Sequence, residues 1–112
     1  MKTVRRRYGL SAALTGAFVL VLGSASQAAA ATSYPIAPGY QVNVRSGPGT
    51  NYSIVRVLQP GARVSITCQT TGTKETGPYG TSNVWDNIGS GHYISDVYVY
   101  TGSDGYVAPR CA

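Results

Sequence analysis

The side chains able to do chemistry are few and scattered. His92 is the one histidine. Ser95-Asp96 and Ser103-Asp104 pair a hydroxyl with a carboxylate, but no histidine sits locally in either pair, although His92 is near Ser95 in sequence. No Gly-x-Ser-x-Gly turn, phosphate-binding loop or metal-ligand cluster occurs. General acid–base catalysis needs paired groups with separated pKa values. The three aspartates, Asp86, Asp96 and Asp104, instead lie beside turn residues, and Asp104-Gly105 is an ordinary turn pair. The two cysteines, Cys68 and Cys111, lack the further ligands zinc requires and have only His92 to act as a base. They are expected to form a disulfide, the one pairing open to them in an oxidising compartment. A bridge between residues 43 apart contributes about 4 kcal/mol through chain entropy. These residues predict no catalysis, no cofactor and no metal.

The aromatic residues point to binding. Beyond the first 30 residues the chain holds Trp85 and eight of its nine tyrosines: Tyr34, Tyr40, Tyr52, Tyr79, Tyr93, Tyr98, Tyr100 and Tyr106. No phenylalanine accompanies them there. Tyrosine offers a flat contact surface with a polar tip, which suits sugar or peptide recognition. It is also a good strand residue in its own right.

The N-terminus reads as a signal peptide over residues 1–30. Lys2, Arg5, Arg6 and Arg7 precede an apolar run from Leu10 to Gly23, and small residues follow, with cleavage expected between residues 28 and 31. The apolar run, about 14 residues, is shorter than the roughly 20 a membrane span needs. Arg5-Arg6 followed by Tyr8 resembles a twin-arginine signal, but the Leu and Lys that should follow are missing, so the general secretory route is preferred. Four of the nine basic residues leave with this segment. Arg45, Arg56, Arg63, Lys74 and Arg110 remain against Glu75, Asp86, Asp96 and Asp104, a formal charge of +1. No basic cluster of the kind that binds nucleic acid survives. Lys74-Glu75 reads as a solvated loop pair. The expected product is secreted, extracellular or wall-associated, not inserted in a membrane, and monomeric.

About 82 residues then remain, enough for one domain, and a domain this small often needs a covalent staple. Residues 31–39 read as a short linker and residues 40–112 as the domain, including a tail over 101–112. Val42 and Val44 alternate with Gln41, Asn43 and Arg45, and Val64, Ile66 and Cys68 alternate with Arg63, Ser65 and Thr67. Period two predicts half-buried strands, with Cys68 in the inward set. Ile54 to Leu58, Val84 to Ile88, Tyr93-Ile94 and Tyr98 to Tyr100 are further β-rich runs. Gly47 to Asn51, Pro60-Gly61, Gly72 to Ser82 and Gly89 to Gly91 supply turns between them. With 14 glycines there is little room for a long helix. The fold class is all-β, a small barrel of five to six strands.

The order of these pieces resembles a bacterial SH3-like (SH3b) domain over about residues 40–100. Val42-Asn43-Val44-Arg45-Ser46-Gly47-Pro48-Gly49, reaching Tyr52, is similar to that family's opening N-V-R-x-G-P run. Ile54 to Leu58, Pro60-Gly61 and Val64 to Ile66 resemble its second strand, tight turn and third strand. Trp85 stands at the usual fourth-strand tryptophan, and Gly91-His92-Tyr93-Ile94-Ser95 resembles the closing G-W-V-S segment, with Tyr93 in place of Trp. Two features depart from the pattern: a longer connection over residues 69–83, and the tail from Thr101 to Ala112, which the disulfide should fold back onto the barrel. In the opening motif Gly47 and Gly49 are expected to allow positive φ, and Asn43 and Arg45 to brace the following loop.

The resemblance implies a non-catalytic binding module. It places Tyr52, Trp85 and Tyr93 near one groove, with Asp86 or Asp96 at the rim, as candidate ligand contacts. The ligand expected by analogy is cell-wall peptidoglycan or a peptide. The alternative is a free-standing extracellular interaction or inhibitor protein.

Overall fold

The computed structural model describes residues 32–112. The expected signal peptide, with its cleavage site, lies outside the described residues. Seven strands follow in order: β1 (Tyr34–Pro35), β2 (Val42–Arg45), β3 (Ile54–Leu58), β4 (Arg63–Val64), β5 (Cys68–Gly77), β6 (Gly80–Gly89) and β7 (His92–Ser95). A 3-10 turn over Asp96–Tyr98 is the one helical element among the described residues. Five strands form an antiparallel sheet in the order β3-β2-β7-β6-β5, and β1 pairs with β4 in a separate two-stranded sheet. The class is all-β, as the sequence predicts, but the barrel is not closed.

The alternation in β2 does what period two requires. Val42 and Val44 are buried while Asn43 is exposed, and both valines join Ile36, Leu58, Val64, Ile94 and Val99 in one apolar core. Side chains of this kind each contribute about 1.5–3 kcal/mol on full burial. Residues 32–39 are not the linker expected of them. Tyr34 and Pro35 pair with Val64 and Arg63, and Ile36 and Ala37 are among the most buried apolar residues. The apolar Ile36-Ala37 pair carries that segment into the core.

Three further elements differ from the sequence reading. The run from Val64 to Cys68 is not one strand, because the chain crosses there from the small sheet to the large one. Val64 ends β4 and Cys68 opens β5, with the Thr67 amide donating to the Asn87 carbonyl at 2.8 Å. The inward set survives the crossing: Val64 is buried, and Ile66 packs against the core. Tyr98 to Tyr100 is not a regular strand either. It forms a single bridge, Ile36 with Val99, flanked by hydrogen bonds from the Ala37 amide to the Tyr98 carbonyl and from the Tyr100 amide to the Pro35 carbonyl.

The third difference is the glycine-rich stretch from Gly72 to Ser82. It is part of the longest hairpin in the domain, with Gly77 paired to Gly80 across its tip. The many threonines of β5 favour extended backbone, and the register shift between Thr71 and Glu75 absorbs the glycine. Lys74-Glu75 therefore lies within a strand.

Gly72 has a definite task. The 46–53 loop crosses β5 there, and a Cβ on Gly72 would overlap the Pro48 carbonyl oxygen and come within 2.9 Å of Trp85 Cδ1. Gly72→Ala should therefore destabilise the domain by about 2 kcal/mol or more. Thermal denaturation of the variant checks this. Gly47 is likewise needed for space and not for left-handed backbone: neither Gly47 nor Gly49 has positive φ, and the Tyr52 ring occupies the space a Gly47 side chain would take.

Cys68 and Cys111 are bonded, and the tail returns along β5. The Gln69 amide donates to the Pro109 carbonyl at 2.8 Å, and the Cys111 amide donates to the Gln69 carbonyl at 2.9 Å. Arg110 sits opposite Gln69 in a parallel bridge, with its guanidinium 3.6 Å from the centre of the Tyr106 ring.

Candidate functional site

The β5–β6 hairpin tip and the segment after the 3-10 turn together form an open cleft. Ser95 caps the 3-10 turn, its Oγ accepting from the Val97 amide at 3.4 Å. The hairpin docks on that turn through Tyr79, whose amide donates to the Val97 carbonyl at 3.1 Å. Gly77 allows the close approach, since a Cβ there would stand 2.7 Å from Val97 Cγ2. Past the turn the chain bends at Thr101 to Gly105. The Thr101 hydroxyl donates to the Ser103 carbonyl at 3.0 Å, and the Gly105 amide donates to Ser103 Oγ at 3.0 Å.

Between these elements is an open cleft of about 540 Å³, bounded by Tyr79, Thr81, Ser82, Asp96, Tyr100 and Asp104 among others, with no basic side chain in its lining. Tyr79 and Tyr100 stand 43% and 56% exposed. Their ring centres are 5.6 Å apart, with the planes inclined at 52°. They also line a smaller apolar hollow of about 320 Å³ with Pro35, Ile36 and Pro38. The two tyrosines thus border both a hydroxyl- and carboxylate-lined basin and an apolar shelf, an arrangement that suits a ligand with both a flat apolar face and polar groups.

Beneath the basin lies a buried polar cluster. Gln69 and Asp86 are both 0% exposed. Gln69 Nε2 donates to Asp86 Oδ1 at 2.7 Å and approaches Asp96 Oδ1 at 3.4 Å. Gln69 Oε1 accepts from the Val107 and Ala108 amides at 2.7 and 3.1 Å. Asp86 Oδ2 is buried with no hydrogen-bond partner. Burial pushes the Asp86 carboxyl up to about 8, with Asp96 adding to the rise as a neighbouring acceptor and like charge, and the Gln69 amide opposing it. Burial also raises Asp96, and its interaction with Asp86 partly offsets that. Two carboxyls with raised pKa values invite an acid–base reading. However, a general acid must reach its substrate, and Asp86 has no exposed surface. The cluster ties strands and tail together.

The residues named from the sequence do not gather in one groove. Trp85 is 2% exposed, and its indole Nε1 donates to the Thr73 carbonyl at 2.8 Å. It lies under the 46–53 loop, where a depression of about 90 Å³ also meets Asn43, Arg45, Glu75 and Tyr98. It is a support for that loop, not an open anchor. Asp86 is at no rim. Tyr93 is half-buried on β7, opposite Arg45 on one side and Asn87 on the other. Tyr52 is 42% exposed, and its carbonyl accepts from Arg45 Nη1 at 2.9 Å, as the Thr50 carbonyl does at 3.2 Å. Arg45 thus braces the loop in the manner expected. Asp96 is the one named residue that lines the large cleft. Tyr79 and Tyr100 were not singled out. The signal for Tyr79 was the Gly77-Pro78-Tyr79-Gly80 tip, which places an aromatic at a hairpin end. Tyr100 gave none beyond its type.

Comparison with known proteins agrees with this architecture. The chain is 40% identical over its whole length, and over 99% of the relative's, to the uncharacterized protein YraI of Bacillus subtilis (strain 168). It is 51% identical over 84 residues to the uncharacterized protein YraJ of the same organism, covering 65% of this chain and 69% of that one. The pattern of the family described as "Bacterial SH3 domain" matches residues 41–111, the span that holds β2 to β7, the cleft and the bridged tail, and the chain belongs to that family.

Proposed function

We propose that this protein is a secreted, non-catalytic binding module that takes cell-wall peptidoglycan or a peptide ligand in the cleft bordered by the Tyr79–Tyr100 pair, with Asp96 in its wall. The observation that carries this reading is the exposed tyrosine pair that borders both a polar basin and an apolar shelf. Membership of a binding-module family supports it, as do the disulfide and the N-terminal sequence pattern, which fit an extracellular setting. Among the described residues no helix is long and apolar enough to cross a membrane.

Co-sedimentation with purified, insoluble peptidoglycan tests the reading. Tyr79→Ala and Tyr100→Ala should each weaken retention by roughly tenfold or more, since a rigid aromatic anchor carries about 2 kcal/mol, with Tm little changed because neither residue belongs to the buried core. Tyr52→Ala tests the groove that the sequence places around Tyr52, Trp85 and Tyr93. If that variant loses binding while Tyr79→Ala keeps it, the ligand sits on the 46–53 loop and not in the cleft.

A further inference from the structure

The large sheet has two edges, and the chain treats them differently. At β5 the tail adds itself to the edge, through two backbone hydrogen bonds to Gln69, and the disulfide holds it there. At the other edge β3 pairs with β2 on its inner side, and among the described residues no strand pairs with its outer side. Ile54, Val55 and Val57 on this strand are 50%, 44% and 41% exposed. An open edge presents a row of backbone donors and acceptors, and proteins normally shorten, charge or cover such a row. Here the edge runs five residues and carries one charge, Arg56. The surrounding sequence is basic throughout. From residue 32 to residue 73 the charged residues are Arg45, Arg56 and Arg63, and all four acids lie between Glu75 and Asp104.

We infer that the β3 edge docks an acidic, extended segment of a partner protein as an added strand. This surface is separate from the tyrosine cleft and goes beyond the binding reading given above. The partner's backbone pairs with residues 54–58, its apolar side chains stand beside Val55 and Val57, and a carboxylate faces Arg56. Main-chain pairing supplies the affinity and the side chains the selectivity. A second copy of this chain fits poorly. Antiparallel pairing of β3 with itself about its centre sets Arg56 against Arg56, and like charges directly opposite are destabilising.

The test uses two end-blocked synthetic peptides in which valine alternates with threonine, one with glutamate at the centre and one with lysine. Each is titrated into isotope-labelled protein and followed by amide resonances. The expected result is saturable shifts of the amides of residues 54–58, with the glutamate peptide bound about fivefold more tightly. Arg56→Glu should reverse that order, and Val55→Lys should weaken both peptides. Shifts confined to the Tyr79–Tyr100 cleft, no saturable shift, or an order unchanged in Arg56→Glu would each overturn the inference. So would concentration-dependent dimerisation through β3 in sedimentation. Loss of peptidoglycan retention in Tyr79→Ala with peptide binding at β3 intact would separate this surface from the cleft.

Discussion

Asp86→Asn should make the protein more stable at alkaline pH and flatten its dependence on pH. In the folded state the Asp86 carboxyl is raised from 3.8 to about 8, chiefly by burial. A carboxyl raised on folding holds its proton in the native state after the unfolded chain has lost it. Its contribution to stability is therefore complete below about pH 4 and is lost as the pH climbs through 8. The loss over that window is up to about 5 kcal/mol. Asp96, also raised by burial, acts in the same direction. Asparagine keeps an oxygen for Gln69 Nε2, which donates to Oδ1 at 2.7 Å. It replaces the orphaned Oδ2 with a donor that carries no charge at any pH. The variant should be close to the wild type near pH 5 and about 2–4 kcal/mol more stable at pH 9. Denaturant unfolding at four or five pH values measures both curves. Parallel curves would show that Asp86 does not carry the proton assigned to it.

The same residue shows why the site was harder to read than the fold. Val42 and Val44 announce their strand because one face meets the core and the other meets water, so burial follows parity. In β6 that rule fails. Trp85 and Asp86 are neighbours of opposite parity, yet both are buried. The 46–53 loop covers one face, while Gln69, Asp96 and the tail occupy the other. Nothing local to Trp85-Asp86-Asn87 records that cover, because it comes from residues distant in sequence. The disulfide was legible because two cysteines allow one pairing. The position of Tyr100 was not, because it depends on Pro35 accepting its amide proton at 3.0 Å, a contact made by a segment that reads as a linker. Arg45 was legible as a brace because its partners lie in the adjoining loop.

Cys111→Ser should lower stability by roughly 2–4 kcal/mol, a fall in Tm of about 10–20 °C for a domain of this size. Two effects combine. The bridge closes a span of 43 residues, so its loss returns chain entropy to the unfolded state. It also frees a tail whose remaining hold is hydrogen bonding to Gln69, through that residue's main-chain amide and carbonyl and through Oε1. Gln69 is 0% exposed, so when the tail leaves, its oxygen must find water or remain unpaired at a cost of about 1–3 kcal/mol. The Cys68→Ser/Cys111→Ser double variant removes the stray thiol and should behave the same way. Limited proteolysis with mass analysis locates the change. New cuts are expected within residues 101–110, while the core around Val44 and Ile94 stays protected. Thr101 to Asp104 form one side of the large cleft, so ligand retention should fall with the tail even though Tyr79 is untouched. A variant with unchanged Tm and no new cuts would mean that the Gln69 hydrogen bonds alone hold the tail. The bridge would then contribute neither to the fold nor to the shape of the cleft.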